Sequence, residues 1–383
     1  MRKPIRGLLA IVAIVVAGFA VAAISRDDKP ASAAVTDMEH GNVKFAKGEM
    51  PRILNAVDAV TKDTPKDDLV AEGRAIFRDS SLFENGESCQ TCHAEGSASA
   101  KLGTMVHDKD AKDLSPMPPT DFDGPRDPPA LWGMAKSAPY FWDGSEPTLQ
   151  SAVVRPVMGH MREFVAGGVP PKDGDPDCSQ VDAERKRTPA CIDRAGAIAA
   201  KLIAYITTLD PPQSSFDQGT MSAAALRGEK IFQGKGGCIE CHGGPLFTDN
   251  LTHNTGVPQV TFESPFREPG NQTTSDDKGA PPPPPDPACA GTPLPAGCDP
   301  APPQTSAFVN TPQLRDLKNT APYMHNGAFA TLEQVVRFYN GPPLSTEPGT
   351  MPANLAGDPS STLAPLGLTE DEMHDLVAYL ESL

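Results

Sequence analysis

The feature that most constrains this chain is a Cys-x-x-Cys-His motif, which occurs at residues 89–93 and again at 238–242. Two thiols at this spacing, followed at once by a histidine, are the pattern to which c-type haem is attached. The thiols bond covalently to the haem vinyl groups, and the histidine is held where it can ligate the iron. A redox dithiol or half of a zinc site does not need that histidine, and the repetition favours haem further. The predicted attachment and proximal-ligand residues of the two haems are Cys89, Cys92, His93, Cys238, Cys241 and His242.

The N-terminus indicates export. Arg2, Lys3 and Arg6 precede an uncharged, mostly apolar run over residues 7–24, which is the order found in a signal peptide. The run is long for a signal peptide and long enough to span a bilayer. Residues 1–33 are therefore predicted to be either a cleaved signal peptide or a retained inner-membrane anchor. In both cases the basic end stays in the cytoplasm and the rest of the chain is periplasmic.

Length and charge limit the remaining possibilities. The 383 residues suit two domains. Long loops are predicted, because the chain holds 33 glycines and 42 prolines. The formal net charge of −16 argues against a nucleic acid as partner, since the phosphate backbone would be repelled.

The four cysteines outside the haem motifs form two local pairs, Cys178 with Cys191 and Cys289 with Cys298. Each pair lies in a polar or proline-rich stretch. In an oxidising periplasm such pairs are predicted to be disulfides that close short loops. Four free thiols are the alternative.

Hydrophobic periodicity indicates an all-α fold. Leu69, Val70, Ile76 and Phe77 recur on one helical face ahead of the first haem motif. Further helices are predicted around residues 53–60, over 194–209, from Met221 onward, and over 370–383. For the last of these, Thr369 is the predicted N-cap and Glu372 occupies the capping-box position.

The two halves of the chain share sequence at corresponding places. Residues 73–77 precede the first motif and residues 228–232 the second, with glycine first and phenylalanine last in both. Residues 127–157 match 310–340 without a gap, at a constant offset of 183 positions. Such self-similarity predicts an internal duplication, with two tandem cytochrome c-like haem domains joined by long loops.

The predicted boundaries follow from this duplication. A polar tether over residues 34–67 leads into a first domain at 68–212 and a second at 213–383. The second domain carries a proline-rich insertion at about 270–306. It lies between the haem motif and the matched segment, which are further apart in the second domain than in the first.

One position in the matched segments bears directly on the irons. The offset places Pro156 opposite Tyr339. The occupant of the sixth iron position decides between electron transfer and chemistry, and tyrosine can ligate iron whereas proline has no side-chain ligand. The pattern predicts a capped second haem and an open first haem. The alternative is that Tyr339 is an ordinary helix aromatic that packs on haem.

Taken together, these features resemble the bacterial dihaem cytochrome c peroxidase and MauG superfamily over about residues 68 to 383. The resemblance is carried by the two haem motifs, by Ala-Pro-Tyr-Phe-Trp-Asp-Gly at 138–144, and by Thr-Ala-Pro-Tyr-Met-His-Asn-Gly-Ala-Phe-Ala-Thr-Leu at 320–332. Classical members place a methionine at the position of Tyr339, and the tyrosine is similar to the MauG-like branch.

The resemblance implies an enzyme that reduces hydrogen peroxide at haem 1 with electrons relayed through haem 2. Those electrons would come from a small c-type cytochrome or cupredoxin, or from a protein substrate as in MauG. A passive dihaem electron carrier without peroxidase activity is the alternative from another class. The two differ in whether one iron is open and reacts with peroxide.

The resemblance also assigns roles to individual residues. Trp142 would relay electrons between the haems, and a calcium ion would be held by Asp127, Thr320 and Pro322. Glu163 is the candidate distal acid–base residue beside Pro156, although the family pattern places this glutamate at position 162, which is arginine here.

Four further positions bear on the first haem and on the route for electrons. The distal glutamine of the family is replaced by Ala152, and the tryptophan that MauG carries just before its second haem motif is absent. A histidine that caps haem 1 in some classical members would be His107, with His160 as a second candidate.

Overall fold

Helices dominate the part of the chain that the structure describes. The computed structural model describes residues 45–82, 88–93, 128–164, 176–182, 186–257, 261–263, 272–274, 308–341 and 365–383. The helices are α1 (Glu49–Asp63), α2 (Lys66–Arg78), α3 (Cys89–Cys92), α4 (Leu149–His160), α5 (Pro189–Ile206), α6 (Ala223–Gln233), α7 (Leu332–Asn340) and α8 (Glu370–Leu380). Two antiparallel pairs of short strands accompany them, β1 (Thr252–His253) with β4 (Val309–Asn310) and β2 (Thr261–Glu263) with β3 (Gln272–Thr274). The expectation of a helical fold is confirmed at this level.

The first core forms where α2 crosses α5. The crossing is so close that a Cβ at Gly73 would lie 1.9 Å from the main-chain oxygen of Lys201, so only glycine fits. Beside it, the rings of Phe77 and Tyr205 meet edge to face at 5.2 Å. The buried face of α4 packs on the same core.

The second core repeats this arrangement with α6 and α8. A Cβ at Gly228 would lie 1.9 Å from the main-chain oxygen of Asp375. The rings of Phe232 and Tyr379 meet edge to face, again at 5.2 Å. Helix α7 closes this core with Leu332 and Val336.

Helix α1 differs from the expected polar tether over residues 34–67. Ile53 and Val57 are buried against the first core, in which α1 packs on α5. At its start, the buried Glu49 carboxylate is bonded to the Arg187 guanidinium at 3.3 Å. The helix is polar over most of its length, but a single apolar stripe is enough to dock it.

The ends of the other helices follow local capping. Helix α5 begins at Pro189 because the Thr188 side chain caps it, earlier than the predicted residue 194. Helix α8 has the predicted capping box of Thr369 and Glu372 and ends at Leu380.

The disulfide between Cys178 and Cys191 is present, whereas Cys289 and Cys298 lie outside the described residues. Among the helices that the structure describes, none is long and apolar enough to cross a bilayer. The apolar run at 7–24 is outside them.

Candidate haem sites

The first haem motif forms a single helical turn, α3, that presents both thiols and the histidine. Ser88 and Thr91 make a capping box that starts the turn. The Nδ1–H of His93 donates to the Pro129 carbonyl oxygen at 3.0 Å, which leaves Nε2 as the ligating atom. Burial lowers the pKa of His93 to about 4, and the charge of His160 lowers it as well. The imidazole is therefore neutral, as iron ligation requires.

The second motif lies in a 3-10 turn over Cys238–Glu240. The Nδ1–H of His242 donates to the Phe247 carbonyl oxygen at 2.9 Å, so its Nε2 is the ligating atom here too. Burial lowers the pKa of this imidazole.

The cysteines of both motifs keep the thiol groups that bond to haem. The four motif cysteines, Cys89, Cys92, Cys238 and Cys241, are not in disulfides. These donor sets fit covalently attached haem at both motifs.

Helix α7 brings Tyr339 to the second motif. Its pKa is raised to about 12, first by burial and also by the neighbouring Cys238 and Cys241 side chains. The phenol shares a hydrogen bond with the Thr255 side chain. The sequence-predicted ligand thus lies beside the predicted haem, while its role as ligand stays a prediction.

Helix α4 is the corresponding element at the first motif. Pro156 lies within this helix, half-exposed, and His160 is its last residue. The main-chain N–H of Arg162 donates to the Leu82 carbonyl oxygen at 2.8 Å, which ties the end of α4 to the segment that leads into the first motif. Desolvation lowers the pKa of His160, although part of its surface stays exposed.

Glu163 lies just beyond α4 and faces away from solvent. Its side chain is 2% exposed and forms an ion pair with Arg194 of α5. The carboxylate is thus held against a helix of the first core. Its role as an acid–base residue stays a prediction.

Trp142 lies where the two halves of the chain meet. Its ring contacts that of His325 at 6.3 Å, edge to face, and its carbonyl oxygen accepts a hydrogen bond from the Asn310 N–H at 2.6 Å. His325 is 1% exposed. Sequence reasoning missed His325, although the offset of 183 positions that matches the segments pairs it with Trp142.

The residues around Trp142 and His325 share an unusual backbone. Ala138–Pro139 and Ala321–Pro322 are cis peptides, and Phe141 and Met324 have φ values of 66° and 73°. Phe141 directly precedes Trp142, and Met324 directly precedes His325. The matched segments therefore place the two rings by the same turn.

The predicted calcium ligands are only partly within the described structure. In the second half, Pro322 follows a cis peptide bond from Ala321, and Thr320 directly precedes Ala321. Asp127 and the alternative haem ligand His107 lie outside the described residues. The Asn310 side-chain amide of the second half donates to the Pro139 carbonyl oxygen of the first half at 2.8 Å.

Comparison with known proteins gives consistent relatives. A family model described as di-haem cytochrome c peroxidase matches residues 67–224. Cytochrome-c peroxidase IdrP1 of Denitromonas iodatirespirans is 37% identical over 183 residues, which are 44% of this chain and 42% of that protein. The aligned region thus spans about half the length of the curated peroxidases it matches. Methylamine utilization protein MauG of Methylorubrum extorquens is 28% identical over 343 residues, which are 82% of this chain and 77% of that protein.

A solved structure shares the fold. The diheme peroxidase BthA of Burkholderia thailandensis E264 superposes with a TM-score of 0.52 at 23% identity, covering 84% of this chain and 86% of that chain. The predicted resemblance is confirmed by these matches together with the two haem motifs. The chain is similar to proteins of the dihaem cytochrome c peroxidase and MauG superfamily.

Proposed function

We propose that this protein is a periplasmic dihaem c-type oxidoreductase that reduces hydrogen peroxide at haem 1 and stores electrons at haem 2. The observation that carries the proposal is the asymmetry of the two distal helices. Helix α7 places Tyr339 beside Cys238 and Cys241, whereas the matching position on α4 is Pro156, which has no ligand atom. One iron is capped and the other has no ligand from this position, as a peroxide-using pair requires.

Individual residues of the chain have separate roles in this reaction. Bound haem supplies the redox chemistry of peroxide reduction. His93 and His242 would hold the two irons through their Nε2 atoms, and their Nδ1–H groups are fixed by carbonyl oxygens. Those hydrogen bonds raise ligand basicity and set ring orientation. Tyr339 closes the second haem to solvent ligands.

The electron route between the haems runs through the interface of the two halves. Trp142 is the relay, and its ring contacts His325 from the matching segment. The electrons come from a small c-type cytochrome or cupredoxin, or from side chains of a protein substrate. Net charge of −16 makes a basic face on that partner favourable.

The two halves are copies of one haem domain. The contacts around the Gly73 crossing and the Gly228 crossing are the same in kind and in distance. In the first half, Glu146 is ion-paired with Arg155, and the positions 183 residues later hold Phe329 and Phe338, whose rings pack at 5.2 Å. A charged pair and an aromatic pair thus occupy corresponding places, as expected of diverged duplicates.

The duplication also supports calcium at the domain boundary. Asn310 bonds to the Pro139 carbonyl oxygen through an N–H donor. The matched partners are Asp127 and the Pro322 carbonyl oxygen, and both of these are acceptors. Two acceptors cannot bond to each other directly, so a bridging cation would join them, and hard oxygen ligands suit Ca²⁺.

The experiment that tests the function is electron paramagnetic resonance of the oxidised dihaem protein, before and after hydrogen peroxide. We expect one high-spin and one low-spin signal, with peroxide consuming the high-spin one. Two low-spin signals, together with no reaction after half-reduction, would identify a passive electron carrier instead.

Tyr339→Phe tests the ligand of haem 2. We expect it to change the low-spin signal and to leave the high-spin signal as it is, because only the second haem loses its phenolate. Tyr205→Phe, a core tyrosine of α5 that packs on Phe77, is the control and should change neither. An unchanged low-spin spectrum in Tyr339→Phe would refute the assignment.

A further inference from the structure

One face of helix α4 is turned away from the first core. Most of the helix is buried, including Ala152, Val153, Val154, Val157 and Met158. Pro156 is half-exposed and His160 is exposed. These two residues are four apart and therefore lie on the same side of the helix, one turn from each other.

That face lies near the first haem motif. His160 is close enough to His93, which belongs to the motif, to lower the pKa of that imidazole. The chain directly after His160 is bonded to Leu82, close to the start of the motif segment, through the Arg162 N–H. At the second motif the matching helix likewise places Tyr339, the counterpart of Pro156, beside the motif cysteines.

Glu163 is held elsewhere. Its carboxylate is buried and ion-paired with Arg194 on α5. A carboxylate in such a pair must break the pair to act on another group. His160 is exposed and needs no such rearrangement.

We propose that His160 is the distal acid–base residue of haem 1, in the position that sequence comparison assigned to Glu163. This proposal rests on the proposed peroxide reduction. Along α4, His160 lies about 6 Å from Pro156, at 1.5 Å per residue. Pro156 occupies the position that matches the predicted ligand Tyr339. His160 therefore flanks the ligand position and does not occupy it.

The proton chemistry suits imidazole. Hydrogen peroxide takes two electrons and two protons and gives two molecules of water, with the electrons supplied by the haem pair and the protons by solvent. The imidazole of His160 accepts the proton from one peroxide oxygen and donates it to the other, which leaves as water when the O–O bond breaks. Histidine is the commonest residue for such transfers, because its pKa is close to neutral.

The test uses the full dihaem protein with His160→Ala and His160→Gln. The rate constant for reaction with hydrogen peroxide, followed by stopped-flow at the haem absorption band, should fall by about a hundredfold or more in both variants. His374→Ala is the matched control. His374 is an exposed histidine on α8, 3.5 Å from Glu333, and its loss should leave the rate unchanged.

A second readout does not depend on turnover. Hydrogen cyanide must lose a proton to bind an open ferric haem, so its binding rate should fall in His160→Ala and recover partly with added imidazole. The paramagnetic resonance signals should stay as in the wild type. Loss of a low-spin signal in His160→Ala would show that the residue is an axial ligand and would overturn the proposal.

The remaining outcomes also decide the question. A normal cyanide rate in His160→Ala, with a slow rate in Glu163→Gln, would return the role to Glu163. If the wild type binds cyanide with His160 dependence but ignores peroxide, the proposed function fails while the distal assignment stands. A wild type that binds no cyanide has no open first haem, and that result overturns the assignment.

Discussion

At the scale of single residues, Arg315 shows how the segment between the two haem domains is fixed. Its guanidinium is 7% exposed, lies 5.9 Å from the ring centres of both Phe216 and Phe247, and donates to Asp217 at 2.5 and 2.6 Å. Asp217 belongs to the connection that follows α5. A buried cation, two aromatic faces and one carboxylate thus hold this connection on the second core.

We expect Asp217→Asn to lower the free energy of unfolding by about 1–3 kcal/mol at neutral pH, because it leaves a buried charged donor poorly paired. Burial alone would raise the pKa of Asp217, but the bonds from Arg315 and Ser214 hold this pKa below its usual value. A carboxyl whose pKa is lower in the folded state than in the unfolded state stabilises the fold. This stabilisation is present when the pH is above the unfolded pKa, near 3.9, and it is lost as the pH falls through the folded pKa.

The measurement is denaturant unfolding of the wild type and Asp217→Asn at pH 7 and at about pH 3. The difference between the two proteins should shrink at the lower pH. A difference that is equal at both pH values would mean that the carboxylate charge does not contribute.

At the scale of elements, the two distal helices differ in length for a local reason. Helix α7 ends at Asn340, whose side chain bonds to both the N–H and the carbonyl oxygen of Leu368 at 2.6 and 3.0 Å. Gly341 follows with a φ of 110° and stops the helix. Helix α4 has no such stop and continues to His160. The extra turn places His160 one turn beyond Pro156.

The close helix crossings are the second feature at this scale. We expect Gly228→Ala to lower the free energy of unfolding by about 1–3 kcal/mol, because its Cβ would lie 1.9 Å from the Asp375 main-chain oxygen and would force α6 and α8 apart. Lys230→Ala, on the exposed side of the same helix, should stay within about 0.5 kcal/mol of the wild type. Thermal unfolding of the three proteins is the measurement, and equal effects of the two substitutions would contradict a steric cause.

At the scale of the whole molecule, the interface of the two halves is where the proposed electron route crosses. The Gln313 side-chain amide donates to the Trp132 carbonyl oxygen at 2.8 Å, and Asn310 bonds to the main chain at Pro139 and Trp142. These bonds join the halves through main-chain atoms around Trp142. The main chain around Trp142 is therefore bonded to the second half of the chain.

We expect Trp142→Phe to slow electron transfer from haem 2 to haem 1 without changing the resting spectrum of either haem, because the tryptophan ring is the proposed intermediate. The measurement is rapid mixing of the half-reduced protein with peroxide, read at the low-spin haem. Trp132→Phe, at a buried tryptophan of the first half, controls for loss of an indole in general. Equal slowing in both variants would assign the effect to packing.

Several properties were determined by the sequence alone, because they depend on residues close together in the chain. The haem motifs, the capping box at Thr369, the Cys178–Cys191 disulfide and the resemblance to the dihaem peroxidases are of this kind. The constant offset also brought Tyr339 into comparison with Pro156 before any contact was known. Covalent attachment and helix capping are local, so a linear pattern is enough to predict them.

Only the tertiary structure decided which distant side chains meet. It docked α1 on the first core, paired Glu163 with Arg194, set Trp142 against His325, and brought His160 near enough to His93 to lower the pKa of that imidazole. Each of these contacts depends on how helices cross, and the crossing is set by close-packed surfaces such as that at Gly73. Periodicity shows that a face is apolar or polar, whereas the partner of that face is determined by packing across the whole domain.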